Sequence, residues 1–273
     1  MAARTKTETE DAQERTLPPV RVVYETIRIS GEGELRRTPL ALGFSALAAG
    51  FSMGCSLIFT GLLRAHLPDA PWRAAIENLG YTSGFLIVIL GRQQLFTENT
   101  LTPILPLLSR PSFRTAWRVA RLWAIVLAFN VVGCALVAYV VAHASAFEQP
   151  ARDAFAAISR AAVTGSFAAV FWRAVFAGWL IATMVWLLPA AEGGGSVALI
   201  IFVTYIVGLG HFSHIIAGSV DVLYGVFAGS TTGLQFLTSF FVPTLLGNVT
   251  GGVILVSLLA FGQVQPDKGN AVL

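Results

Sequence analysis

Six long apolar runs dominate this 273-residue chain, at about 40–63, 79–108, 117–143, 167–191, 196–227 and 236–261. A helix of about 20 apolar residues spans the hydrocarbon core of a bilayer, so each run is long enough to cross one. Charge supports that reading. Only 12% of residues are charged, about half of what a soluble domain carries, and mean hydropathy is +0.70. Residues 1–40 hold fourteen of the thirty-three charges, seven of each sign. These numbers exclude an ordinary cytosolic enzyme, a disordered chain and a nucleic-acid binder. They predict an all-α integral membrane protein with a polar N-terminal tail (1–39), a transmembrane domain (40–263) and a short C-terminal tail (264–273).

The basic residues give a topology. With the N-terminus in the cytoplasm, one side carries seven basic residues of the tail, Arg110, Arg114, Arg118, Arg121 and Lys268. The other carries Arg64, Arg73, Arg152 and Arg160. Twelve against four puts both termini inside by the positive-inside rule. A short interfacial helix is expected around 20–29. The charged N-terminus has no apolar h-region, so no cleaved signal peptide is expected. Cys55 and Cys134 lie inside apolar runs and read as small hydrophobes, not as a disulfide.

The second and fifth runs exceed a simple span and are interrupted by polar residues. The second contains Gly91-Arg92-Gln93-Gln94-Leu95-Phe96-Thr97-Glu98-Asn99-Thr100, and the fifth Gly208-Leu209-Gly210-His211-Phe212-Ser213-His214. Irregular backbone at membrane depth is tolerated where protein buries it or where it lines a polar cavity. Two interrupted spans, second in each group of three, predict a three-plus-three inverted repeat around a central site. Short echoes support the repeat: Asn130-Val131-Val132-Gly133 with Asn248-Val249-Thr250-Gly251, and Ala49-Gly50-Phe51 with Ala177-Gly178-Trp179.

Leu95-Phe96-Thr97 on the interrupted second run, His214 on the fifth and the glycine-flanked Asn248 on the sixth resemble the formate/nitrite transporter family, and within it the YfdC-like branch. The resemblance covers about residues 40–261. It implies an aquaporin-like fold, a homopentamer with one pore per protomer, and passage of a small monovalent anion such as formate or nitrite, often with a proton. A multi-pass protein of a bacterial inner membrane follows. The family's central pore histidine falls on His214 and its loop threonine on Thr97. The cytoplasmic constriction falls near Tyr81, Phe85 and Leu95, with Phe96 beside it, and the periplasmic one near Val207. Departures are Gln94 in place of an acidic residue and Ile216-Ala217-Gly218-Ser219 in place of Ile/Val-Ala-Asn-Met. A lysine common at the periplasmic entrance would fall near Ala162, with Arg160 the nearest cation.

An imidazole inside a membrane span is a functional candidate by default, and its range of protonation suits exchange with a weak acid. A buried histidine tying two segments together is the structural alternative, compatible with the first. His211 three residues earlier invites a metal reading, but third and fourth ligands are missing, so no metal and no cofactor is expected. Arg92 and Glu98 are expected to pair within one unwound segment, with an anion-gathering Arg92 as the alternative; Asp221 and Arg173 offer a weaker counterpart. Asn130 and Asn248 read equally as interhelical hydrogen bonding or pore lining. The expected partners are therefore a small anion, protons, lipid and further copies of the chain. Two other functions remain compatible with these residues: an aquaporin-like pore for neutral solutes, and a non-conducting scaffold or sensor.

Overall fold

The computed structural model describes residues 17–191 and 193–265, and every regular element among them is helical. Arg4, Lys6, Arg15, Lys268 and nearly all of the C-terminal tail lie outside the described residues. Ten helices follow in order: α1 (Val20–Arg36), α2 (Pro39–His66), α3 (Arg73–Leu90), α4 (Ile104–Ser109), α5 (Phe113–His143), α6 (Gln149–Ala162), α7 (Phe167–Leu187), α8 (Gly194–Leu209), α9 (Ala217–Phe227) and α10 (Gly233–Gln263). Four of them, α2, α5, α10 and α7 with its 3-10 extension to Ala190, are long and apolar enough to cross a membrane; α8 and α9 are shorter apolar helices. Helix α10 contains two π-helical stretches, Phe236–Phe241 and Thr250–Ser257.

Local chemistry sets the helix starts. Thr38 caps α2, accepting from the Ala41 amide, with Pro39 in the first turn. Ser112 and Ser166 cap α5 and α7 in the same way. Such caps satisfy amides that have no partner within their own helix. Helix α1 runs seven residues beyond the expected Ile29, because Gly31 and Leu35 continue the buried stripe of Val23, Tyr24 and Ile27. It is docked, not trailing: Tyr24 Oη lies 2.6 Å from Ser109 Oγ, and Gly31 sits on the Thr102 carbonyl. Helix α6 was not anticipated. Its apolar residues form one stripe (Ala151, Ala154, Phe155) in a polar sequence, too short a run to register as a span.

Glycines let two helix pairs approach closely. A Cβ on Gly50 of α2 would lie 2.9 Å from the Asn130 carbonyl carbon of α5, and Gly133 meets Gly50 in return. A Cβ on Gly178 of α7 would lie 2.7 Å from Asn248 Cα of α10, and Gly251 meets the Gly178 backbone. Small residues at such crossings are how helices pack where lipid offers no hydrophobic driving force. The prediction is a contrast between two substitutions. Gly178→Ala should lower the melting temperature of the purified protein in detergent, costing about 1–3 kcal/mol of overpacking. Gly33→Ala, on an exposed stretch of α1 with nothing within 4 Å, should raise it slightly, by about 0.5–1 kcal/mol.

Candidate functional site

Helices α3 and α8 stop in the same way. The chain turns at Gly91-Arg92 and Gly210-His211, where Arg92 and His211 take left-handed backbone angles (φ 49° and 50°). The Gln93 amide donates to Val88 O at 2.9 Å, and the Phe212 amide to Val207 O at 3.0 Å. This is the Schellman arrangement, which closes off the last carbonyls of a helix. Glycine favours the left-handed position, yet here the residue after each glycine occupies it.

The unwound segments that follow have backbone groups without helical partners. One asparagine side chain satisfies each. Asn130 Oδ1 accepts from the Phe96 amide at 3.0 Å, while its Nδ2 donates to Gln94 O at 2.9 Å and Ala46 O at 2.7 Å. Asn248 Oδ1 accepts from the Ile215 amide at 2.8 Å, and its Nδ2 donates to Ser213 O at 2.9 Å and Ala174 O at 2.8 Å. Both asparagines are fully buried. Buried polar backbone must be paired, and these two amides do it with both polar ends. The side chain of Asn248 is thus taken up by three backbone groups, and Asn248 does not line the cavity that reaches His214.

His214 joins the two segments. Its Nδ1 accepts from the Ala217 amide at 3.1 Å and the Ile216 amide at 3.3 Å. Nδ1 therefore carries no hydrogen in this arrangement, and Nε2 donates to Thr97 Oγ1 at 2.8 Å. The Thr97 hydroxyl hydrogen has no acceptor among the described residues. The ring also meets the edge of Phe85, centroids 4.9 Å apart. Leu95, Phe96 and Phe85 are buried, and Trp123 holds the loop, packing on Phe96 and donating to Asn99 O at 2.9 Å.

A cavity of about 360 Å³ reaches His214 from the end of the molecule where α2 finishes and α6 lies. Arg64, Arg173, Glu77, Asn78, Asp221 and His211 give it polar walls, and Tyr81, Val207 and Phe240 apolar ones. Glu77 is buried between Arg64 and Arg73, at 3.5 Å from each. Gly218 is required here, since a Cβ would lie 2.6 Å from the Phe240 ring.

A formate/nitrite transporter family model matches residues 21–262. The chain belongs to this family. It is a membrane transport protein and not an enzyme. It is 42% identical over 248 residues to the inner membrane protein YfdC of Escherichia coli K12, covering 91% of this chain and 80% of that one. Among solved structures, an FNT family ion channel matches with TM-score 0.77 at 19% identity, over 90% of this chain and 100% of the other. A pentameric formate channel with formate bound matches with TM-score 0.71 at 18% identity, over 82% and 97%.

Several expectations for this transporter need correction. Tyr81 and Val207 line one and the same cavity, so they do not mark opposite constrictions; Tyr81 faces Gly208, where only a glycine leaves it room. Arg92 and Glu98 form no ion pair: the left-handed turn leaves Arg92 exposed, while Glu98 turns inward and its Oε1 is buried without a hydrogen-bond partner among the described residues. Arg160 is exposed and outside the cavity wall, whereas Arg64 and Arg173 are in it. Arg173 and Asp221 both face the cavity, but Arg173 bonds Thr164 O at 3.1 Å and no ion pair joins the two. The sequence reading missed the clamping role of Trp123 and the Glu77 ion pairs; Arg64, Arg73 and Glu77 flanking one loop were the available signal for the latter.

Asn130→Ala and Asn248→Ala should each lower the melting temperature by similar amounts, about 1–3 kcal/mol for buried groups left unpaired. Thermal unfolding of the two variants side by side checks this.

Proposed function

We propose that this protein is a channel for a small monovalent anion that crosses as its weak acid, in the manner of formate. The observation that carries the reading is the cavity ending on His214, with cations at its mouth and apolar side chains behind. Arg64 and Arg173 draw an anion into the vestibule. Beyond His214, the rings and aliphatic groups of Phe85, Leu95 and Phe96 make a bare anion expensive, so the crossing species is the neutral acid. Family membership and the likeness to a formate channel support the substrate class.

His214 acts in this reading as a hydrogen-bond donor that sets the pore, and the proton that travels with the anion is not its own. Its Nδ1 is occupied by two amides, so the imidazole has no open nitrogen through which to pass a proton from one side to the other. Its Nε2–H orients Thr97, whose hydroxyl hydrogen is then available to a substrate oxygen. The proton itself comes from vestibule water. In this reading Tyr81 and Val207 form the outer constriction, Phe85, Leu95 and Phe96 the inner one.

The architecture proposed around this pore has six membrane spans in an aquaporin-like inverted repeat. Helices α3 and α4 make one interrupted span, and α8 and α9 another. The matching Schellman turns and asparagine clamps support the repeat. The transmembrane domain takes in residues 40–263, flanked by segments 1–39 and 264–273, both cytoplasmic. Five copies assemble in a bacterial inner membrane, each with its own pore. The pentamer rests on the formate channel neighbour, the location on YfdC, and the orientation on the basic residues at the α1 end of the molecule.

Uptake of labelled formate into proteoliposomes should rise as external pH falls, in step with the protonated fraction. His214→Asn keeps an acceptor at the position of Nδ1 but is too short to reach Thr97. It should fold, transport more slowly and keep the pH dependence. His214→Ala loses the amide contacts and should lower stability by about 1–3 kcal/mol. An Asn variant with equal uptake at pH 5 and pH 8 would make the imidazole a proton relay instead. Fast water or glycerol flux without formate uptake would replace the anion reading with a neutral-solute pore.

A further inference from the structure

The cavity that reaches His214 is lined by as many carboxylates as guanidinium groups: Glu77 and Asp221 against Arg64 and Arg173. Glu77 is answered, lying 3.5 Å from Arg64 and 3.5 Å from Arg73. Asp221 is not. It is half-buried on α9 and, among the described residues, makes no hydrogen bond or ion pair. Arg173 is turned to the Thr164 carbonyl instead, at 3.1 Å. An ionisable group without a partner inside a membrane protein is costly to keep and marks a functional position by default.

Its place on α9 says what it acts on. His214, Gly218 and Asp221 all line the cavity, and spacings of four and three residues put them on one helical stripe. The Gly218 amide donates to His214 O at 2.9 Å, so the helical path already runs between them. Asp221 therefore stands about 10 Å along the helix from His214. From there α9 runs on to α6, where Tyr224 donates to Arg152 O at 3.3 Å, so Asp221 lies on the way from the cavity mouth to His214. An anion on that path is pulled by Arg173 and pushed back by Asp221. A neutral acid is not repelled, and its O–H can be accepted by the same carboxylate. We propose that Asp221 is a specificity-determining residue, which offsets the arginines so that anions of strong acids, such as nitrate, are not retained in the vestibule while a weak acid is admitted. Formate leaves the vestibule by taking a proton; nitrate does not, and once held there it would only obstruct. Specificity commonly combines such a repulsive element with the attractive ones. The inference deepens the anion reading of this cavity and rests on it.

The test is inhibition of labelled formate uptake by nitrate, in proteoliposomes of the full-length protein at about pH 8 and at constant ionic strength set with gluconate. Each variant is compared with its own uptake without nitrate. Asp221→Asn should lower the half-inhibitory nitrate concentration below that of wild type on the order of tenfold. Asp221→Glu, which keeps the charge, should stay close to wild type. Equal inhibition of wild type and Asp221→Asn would overturn the proposal, and so would Asp221→Glu behaving like Asp221→Asn. Should Asp221→Asn not fold, Asp221→Ser carries the same comparison. The rise in melting temperature on adding nitrate to the protein in detergent reads the same charge without transport. It should be larger for Asp221→Asn than for wild type, and an equal rise would overturn the proposal. Absence of formate uptake by wild type would strike the transport reading, and the melting temperatures would still decide the role of Asp221.

Discussion

Backbone amides and carbonyls that are buried outside a helix must find partners within the protein, and this chain unwinds twice, between α3 and α4 and between α8 and α9. The rest of the structure follows from how those freed groups are paired. At each site a helix closes with a Schellman turn, and one buried asparagine from a neighbouring helix takes up one amide and two carbonyls. An asparagine can reach only because its helix crosses within backbone contact of another, and that contact needs Gly50 and Gly133 in one half, Gly178 and Gly251 in the other. The glycines, the asparagines and the unwound loops are one device, used twice.

The two clamped segments differ in the residues that flank the clamped amide. Phe96 and Ile215 are equivalent, since each gives its amide to the clamp. The residue before each is then Leu95 in one half and His214 in the other, and the residue after is Thr97 or Ile216. A symmetric pair would have placed two apolar or two polar faces at the centre. Instead the polar member of each pair meets the other, Nε2 to Oγ1 at 2.8 Å, while Leu95 and Ile216 are fully buried.

Much of this was legible in the residues. The long helices announced themselves by hydropathy, the turns by glycine before a polar residue, and the partnership of His214 with Thr97 through family resemblance. What was not legible had physical reasons. Arg92 and Glu98 are close in sequence, but the left-handed turn sends their side chains in different directions, which one-dimensional spacing does not carry. Family resemblance grouped Tyr81 with Phe85 and Leu95 at one constriction, whereas Tyr81 lines the same cavity as Val207 and Phe85 is buried away from it; one turn of helix is enough to separate cavity wall from buried neighbour. Helix α6 escaped because its apolar stripe is thin. The π-helical stretches of α10 have no signature in composition at all.

Transport as proposed turns on the protonation pattern of one imidazole. Nitrogen-15 NMR of histidine-labelled protein in lipid bilayers at neutral pH reads it directly, with His214→Asn identifying the signals. The expected result is a neutral ring with hydrogen on Nε2, coupled to Thr97, and a bare, hydrogen-bonded Nδ1. A ring protonated on Nδ1, alone or together with Nε2, would contradict it.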